Sequence, residues 1–429
     1  VSVSQTHRAI DAVWRIESAR LIAGLARIVR DVGLAEELAQ DALVAALERW
    51  PETGVPANPG AWLMATARNR AIDRLRKTRM VERKHAEIGH DAEAGHDVLP
   101  RLEAAIDGEP GDDLLRLVFT ACHPVLASEA RVALTLRLLG GLTTVEIARA
   151  FLVPEPTIAQ RIVRAKRTLA EARVAFEVPS GAELGERLAS VLEVIYLIFN
   201  EGYAATSGDD WVRPALCEDA LRLGRMLAQL SPDEPEVHGL LALMELQASR
   251  VHARTGVDGE PVLLLDQNRA RWDHVLIRRG LAALARAEAL GGAAGPYALQ
   301  AALAACHARA ATPGETDWPR IAALYAALAA RAPSPVVELN RAVAVAMAFG
   351  PAAGLAITDE LARAEALDGY HLLPSVRGDL LAKLGRFAEA KREFELAAGL
   401  TRNARERQLL LDRAAGCDRA PAARSSDPT

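Results

Sequence analysis

The chain has 429 residues, half of them hydrophobic and a quarter charged, with 51 Lys and Arg against 56 Asp and Glu for a net charge of -5. That length and apolar content exclude a single small domain and predict about two to four packed ones. The near-neutral balance excludes a polycation, so any affinity for nucleic acid has to come from local basic faces.

Apolar residues recur at helical spacing almost throughout, and Val, Ile and Thr assemble into no series of alternating strands, so the chain reads as all-α. Cys122, Cys217, Cys306 and Cys417 form no CxxC pair, which argues against a disulfide framework or a zinc finger. The N-terminus carries no basic-plus-apolar leader, and charges interrupt every apolar run before it reaches membrane-spanning length. A cytoplasmic location with no membrane association is therefore expected. No phosphate-loop, dinucleotide-binding, zincin or nucleophile-elbow pattern anchors an enzyme, and no catalytic residue, metal or cofactor is assigned. Cys122-His123 lacks a second pair at ligand spacing and reads as a buried hairpin position.

In chain order, residues 1–80 form a first helical domain, broken from Pro51 to Pro59 by Pro51, Gly54, Pro56 and Pro59. Beyond the break, Trp62 to Lys77 is an apolar-faced helix that turns basic toward its end. Ala65, Ile72 and Leu75 are assigned inward; Arg68, Asn69, Arg70, Arg74, Arg76 and Lys77 are candidates for phosphates and base edges, and Trp62 for stacking on a base. The plainer alternative is a solvated helix whose basic end complements the macrodipole. Residues 81–113, rich in acids and carrying His85, His90 and His96 before Gly108-Glu109-Pro110-Gly111, read as a flexible acidic linker without metal-site spacing.

Residues 114–178 form a second helical domain containing a helix-turn-helix pattern between Gly141 and Leu169. Thr143 or Thr144 caps its first helix with Glu146 reaching back, and Ile147, Ala148, Val153, Ile158 and Ile162 make the small core between helices. Thr157, Gln160, Arg161, Arg164 and Arg167 are left facing outward as candidate major-groove readers. Leu152 replaces the glycine frequent at the turn, and Pro154 replaces the usual recognition-helix cap; an ordinary helical hairpin remains the alternative.

Residues 179–417 are a succession of Ala- and Leu-rich helices. Within it Gly378, Ala382 and Gly385, followed by Phe387, Ala390, Phe394 and Ala397, match the small and large positions of a tetratricopeptide pair, and Gly350 repeats the place of Gly385. Arg402 stands where a proline usually closes the repeat, and 182–296 is less regular, so the region is TPR-like. Asn200, Glu201, Asp266, Arg269 and Asn340 are polar residues in apolar surroundings, read either as a ligand or docking site or as capping and inter-helix hydrogen bonds. Residues 418–429 are expected to be a disordered tail.

The two N-terminal units together resemble the sigma-70 family of bacterial RNA polymerase initiation factors, in its extracytoplasmic-function (ECF) type. Glu36-Glu37-Leu38-Ala39-Gln40-Asp41-Ala42-Leu43 resembles the polymerase-binding segment, and Ala61-Trp62-Leu63 with Ala67-Arg68-Asn69-Arg70-Ala71-Ile72-Asp73-Arg74-Leu75 resembles the minus-10 helix. The resemblance implies that Glu37, Gln40, Asp41 and Glu48 face the β′ clamp helices of core polymerase. It also implies that Val55 to Asn58 with Asn69 holds a flipped minus-10 base, and that Gln160, Arg161 and Arg164 read the minus-35 element of duplex promoter DNA. The stretches Tyr196 to Tyr203, Leu264 to Trp272 and Pro335 to Ala342 resemble a subgroup with a C-terminal TPR-like extension, which implies regulation within the same chain by a protein or ligand. A stand-alone helix-turn-helix regulator with a TPR-like sensor is the alternative.

Overall fold

The computed structural model describes residues 3–86, 110–151, 153–204, 212–256, 260–365, 367–401 and 403–418. Eighteen α-helices run through them without a β-strand; Thr255 and Pro261 form an isolated bridge. Residues 419–429 of the expected tail and 87–109 of the expected linker lie outside the described residues.

The chain divides into two units, residues 1–197 and 198–429. The first begins with α1 (Val3–Val29), α2 (Val32–Thr53) and α3 (Pro59–Ala86). Asp31 starts α2 by accepting a hydrogen bond from the Leu34 N–H at 2.8 Å. Ala35, Leu38, Ala39, Ala42, Ala45, Ala46 and Trp50 then recur at three- and four-residue spacing as the buried stripe of that helix. Ile10, Ile22 and Leu25 of α1 and Leu63, Ala67 and Ala71 of α3 complete the core. Gly24 permits the close approach of α3, since a Cβ there would stand 2.9 Å from Met64 Cε.

Two expectations about this region change. The inward stripe of α3 is Leu63, Ala67 and Ala71, an i, i+4, i+8 series; Ala65 is exposed, Ile72 is half-buried at the margin, and the Leu75 side chain is outside the described set. Pro51 lies inside the last turn of α2 rather than breaking it. The carbonyl it leaves without an amide belongs to Leu47, an exposed residue, and the Gly54 N–H closes the helix on the Trp50 carbonyl at 2.9 Å with φ of 82°.

The second half of this unit comprises α4 (Pro110–Ala121), α5 (Ser128–Leu138), α6 (Thr144–Phe151) and α7 (Glu155–Glu171), so residues 81–86 and 110–113 of the expected linker are helical. Leu117, Phe119, Leu134, Leu136, Ile147, Ile158 and Ile162 are buried in it. Cys122 is buried as expected, its Sγ 3.3 Å from Thr135 Oγ1, and burial pushes the thiol up to about 11. From α8 (Ala182–Tyr203), Arg187 donates to the Phe119 carbonyl at 3.0 Å, Ser190 donates to the Cys122 carbonyl at 2.6 Å, and Glu193 pairs with Arg131 at 3.1 Å. These bonds satisfy carbonyls at the end of α4 and carry the first unit to Leu197, beyond the boundary expected at 178.

The second unit holds the end of α8 and α9 (Pro214–Leu230), α10 (Pro235–Ala248), α11 (His274–Ala289), α12 (Pro296–Arg309), α13 (Trp318–Arg331), α14 (Pro335–Phe349), α15 (Pro351–Arg363), α16 (Leu372–Lys383), α17 (Phe387–Leu400) and α18 (Ala404–Cys417). Five of these start with proline, whose missing amide costs nothing at a first helical position. Helices pack chiefly on sequence neighbours, the pattern of stacked hairpins. Phe394 of α17 is buried against Gly378 of α16, where a Cβ would come 2.8 Å from the ring, and Gly385 turns between them at φ of 78°. Gly350 makes the corresponding turn between α14 and α15 at φ of 99°. The small-to-large spacing read from the sequence is thus a packed helix pair.

Candidate promoter and polymerase interfaces

On α3, Asn58 forms the N-cap: its Oδ1 accepts from the Ala61 N–H at 3.1 Å and its carbonyl accepts from the Trp62 N–H at 3.2 Å. Trp62 is half-buried, edge-on to Trp50 with ring centroids 5.3 Å apart. Asn69, Arg74 and Arg76 are exposed, Arg68 and Arg70 are half-buried, and the Lys77 side chain lies outside the described residues. The helix therefore presents a basic edge beside an aromatic pair.

Facing it on α2, Glu37, Asp41 and Glu48 are exposed and Gln40 is half-buried. Arg74 stands 3.7 Å from Glu37 and Arg70 stands 3.9 Å from the Asp41 carboxylate while donating to its backbone carbonyl. Such exposed pairs contribute little to stability and yield readily to a partner. Exposed Val44 and Leu47 lie between the acids. An acidic helix face with an apolar centre suits a basic protein groove.

In the helix-turn-helix, the expected capping box is made. Thr143 Oγ1 accepts from the Glu146 N–H at 3.2 Å, while Glu146 Oε2 accepts from the Thr143 N–H at 2.7 Å and its hydroxyl at 2.9 Å. Burial pushes the Glu146 carboxyl up, but the Thr143 bonds and Arg15, 2.9 Å away, outweigh it and hold the group below its usual range. Ile147, Ala148, Ile158 and Ile162 are buried and Val153 partly so. Pro154 caps α7 without a side-chain hydrogen bond. Gln160, Arg164 and Arg167 are exposed, Thr157 and Arg161 half-buried; Arg167 pairs with Glu171 at 2.6 Å.

Sequence reasoning missed the contact between the two halves of the first unit. Glu36 of α2, 2% exposed, accepts from Arg137 of α5 at 2.6 Å and from Gln40 at 2.6 Å, and Lys166 of α7 lies against its second oxygen. Arg27 of α1 pairs with Asp113 of α4 at 2.8 Å, and the Asp113 side chain is 6% exposed. The signal was available in phase: Glu36 adjoins buried Ala35 and precedes Leu38 and Ala39, and Lys166 adjoins buried Ala165. A charge at the edge of a buried stripe implies an opposite charge across it.

The five polar positions of the extension differ in their surroundings. Asn200, Asp266 and Asn340 are exposed, so no burial cost attaches to them. Glu201 pairs with Arg213, and Arg269 donates to the carbonyls of His307 at 2.7 Å and Ala310.

Comparison with known proteins decides the family. The Sigma-70 region 2 model matches residues 16–80 and the Sigma-70 region 4 model matches residues 116–169, while 187–288 match a family of unknown function, DUF6596. The chain is similar to ECF RNA polymerase sigma factor SigK of Mycobacterium bovis, 30% identical over 148 residues that cover 33% of this chain and 74% of that one. The chain belongs to the ECF RNA polymerase sigma factors. SigK of Mycobacterium ulcerans is likewise 30% identical, over 150 residues covering 34% of this sigma factor and 75% of its relative. An uncharacterized protein of Rhizobium meliloti (strain 1021) is 45% identical over 384 residues, 89% of each chain, and so shares the extension as well. No solved structure matches. Among the described residues no helix is long and apolar enough to cross a membrane.

Proposed function

We propose that this sigma factor binds the β′ clamp helices of core polymerase through Glu37, Gln40, Asp41 and Glu48, and holds the melted minus-10 strand along Asn58, Trp62, Arg68, Asn69, Arg70, Arg74, Arg76 and Lys77. Thr157, Gln160, Arg161, Arg164 and Arg167 read duplex DNA at minus-35. The observation that carries the reading is the division of outward polar groups between two helices on one chain, Asn69, Arg74 and Arg76 on α3 and Gln160, Arg164 and Arg167 on α7. Arg and Gln supply the paired donors and acceptors that distinguish bases, and α3 supplies cations with an aromatic face beside them. The Glu36 contact keeps these two faces on one packed body until polymerase separates them. The helical extension regulates this activity in the cytoplasm through a protein or ligand of its own.

The test is a pair of substitutions in the full chain. Arg161→Ala weakens discrimination at minus-35 by about 1 to 3 kcal/mol for a bidentate base contact, read in a titration of polymerase holoenzyme on promoter variants. Asp41→Ala lowers retention of core polymerase without altering helicity. Unchanged base preference removes Arg161, and unchanged retention removes Asp41, from the interfaces assigned to them.

A further inference from the structure

Between α10 and α11 the second unit gathers three guanidinium groups against two aromatic rings. The Arg254 guanidinium carbon stands 3.9 Å from the Tyr203 ring centre, Arg250 stands 5.8 Å from the centres of both Tyr203 and Trp272, and Arg269 stands 4.8 Å from that of Trp272. The irregular segment that carries them is pinned by backbone bonds, Asp273 N–H to the Ser249 carbonyl and Val262 N–H to the Arg254 carbonyl, both at 2.8 Å. Arg269 also donates to Thr316 Oγ1 at 3.2 Å and to the end of α12, which fixes its position. Arg250 differs: among the described residues its side chain lies against the two ring faces, with no side-chain hydrogen bond or ion pair.

The acceptors that meet Arg269 are neutral, two backbone carbonyls and a hydroxyl. Burial and the neighbouring Arg250 lower the Arg269 pKa, and Glu315, the carboxylate acting on it, is engaged by the Ala311 N–H at 3.1 Å. Asp273 is occupied in capping α11 through Val275 and Leu276. Burial, Arg250 and Arg269 together drive His307 down to about 4, so it is neutral near pH 7. In the same segment, two side chains that are more than nine-tenths buried leave polar atoms without partners. Trp272, 4% exposed, has an unpaired Nε1, and Gln267, 5% exposed, has an unpaired Oε1 while its amide nitrogen donates to the Val262 carbonyl at 3.2 Å. Orphaned buried donors and acceptors are costly unless a ligand or water meets them.

The geometry points to a binding site in the extension for a small oxyanion, a carboxylate or a phosphate group, held by Arg250 with Arg254 and Arg269 beside it. The planar guanidinium fork matches such a group, and stacking on aromatic rings leaves its N–H edge free to donate. Trp272 Nε1 supplies a further donor, and Gln267 Oε1 accepts from the body of the ligand. The site falls within the stretch that matches DUF6596, with His307 and Thr316 closing it from outside that stretch.

The experiment is calorimetric titration of the full-length chain with inorganic phosphate, acetate and citrate at constant ionic strength, up to roughly 10 mM, enough to saturate a site of about 1 mM affinity. Saturable uptake of at least one probe is expected, phosphate and acetate distinguishing a phosphoryl from a carboxylate site. Arg250→Gln is expected to weaken it tenfold or more, whereas Arg278→Gln, an exposed arginine of α11, leaves it unchanged. Trp272→Phe keeps an aromatic face but removes the pyrrole ring with its N–H donor; it weakens binding severalfold and serves as the test if Arg250→Gln does not fold. Absence of saturable uptake of all three probes, or equal affinity in the folded Arg250→Gln and Trp272→Phe variants, overturns the assignment.

Discussion

Replacing Glu36 by Gln perturbs the contact that holds the two halves of the first unit together. The carboxylate is buried, bonded to Arg137 at 2.6 Å with Lys166 against its other oxygen, and Gln keeps the shape while removing the charge. Removing one partner of a fully buried pair costs about 3 to 5 kcal/mol. The Arg137 and Lys166 side chains retain 20% and 22% exposure, so water recovers part of that loss. A cost of about 2 to 3 kcal/mol follows, and it shifts the ratio of packed to separated forms roughly 30- to 150-fold. The assay is energy transfer between dyes on cysteines introduced at exposed Ala65 and Ala170, in a Cys417→Ser background that leaves only buried native thiols. The distance distribution should broaden toward separation in Glu36→Gln, with helicity retained. An unchanged distribution, together with unchanged amide exchange in α2, α5 and α7, would refute the reasoning.

Four other outcomes are expected. Thr143→Ala removes one side of the capping box and costs about 1 kcal/mol, visible as faster amide exchange at the start of α6. Because the folded protein holds the Glu146 carboxyl below its usual 4.5, its contribution is complete above that value and is lost as pH falls through the lower folded one; an acid titration of wild-type stability in which Glu146→Gln lacks that component checks the sign. A chain ending at Val178 lacks the bonds from Arg187 and Ser190 to the Phe119 and Cys122 carbonyls, and it should unfold at lower denaturant than one ending at Ala204; equal midpoints would detach α8 from the first unit. Phe394→Ala empties the space against Gly378 and should cost about 3 to 5 kcal/mol in the extension, read as a lower thermal midpoint, and a loss below about 1 kcal/mol would mean the pair is not closely packed.

Helix type and the major groupings were legible because they rest on local periodicity. Gly378 and Phe394 could be matched by spacing, and Thr143 with Glu146 is a four-residue signal whose bonds form as read. The phase of α3 was less accessible, since Ala65, Ala67 and Ala71 are chemically alike and only packing against α1 and α2 selects which face inward. Pro51 misled because a proline in the last turn leaves only one exposed carbonyl unpaired. For Glu36 the phase marked a charge at the edge of a buried stripe, but its partners were illegible: they are 101 and 130 residues away, and nothing local pairs Glu36 with Arg137 or Lys166. The Arg250 cluster likewise assembles Tyr203, Arg254 and Trp272 across helix boundaries, where no single periodic pattern operates.

Run-off transcription with core RNA polymerase tests the sigma assignment most directly. Full-length protein is to be compared with Asp41→Ala and Arg161→Ala on promoters selected from genomic DNA. Promoter-specific transcripts that require the sigma factor are expected, with reduced core retention for Asp41→Ala and altered minus-35 preference for Arg161→Ala. Specific DNA binding by the protein alone, with no core binding and no transcript from any promoter, would contradict it and leave a stand-alone helix-turn-helix regulator.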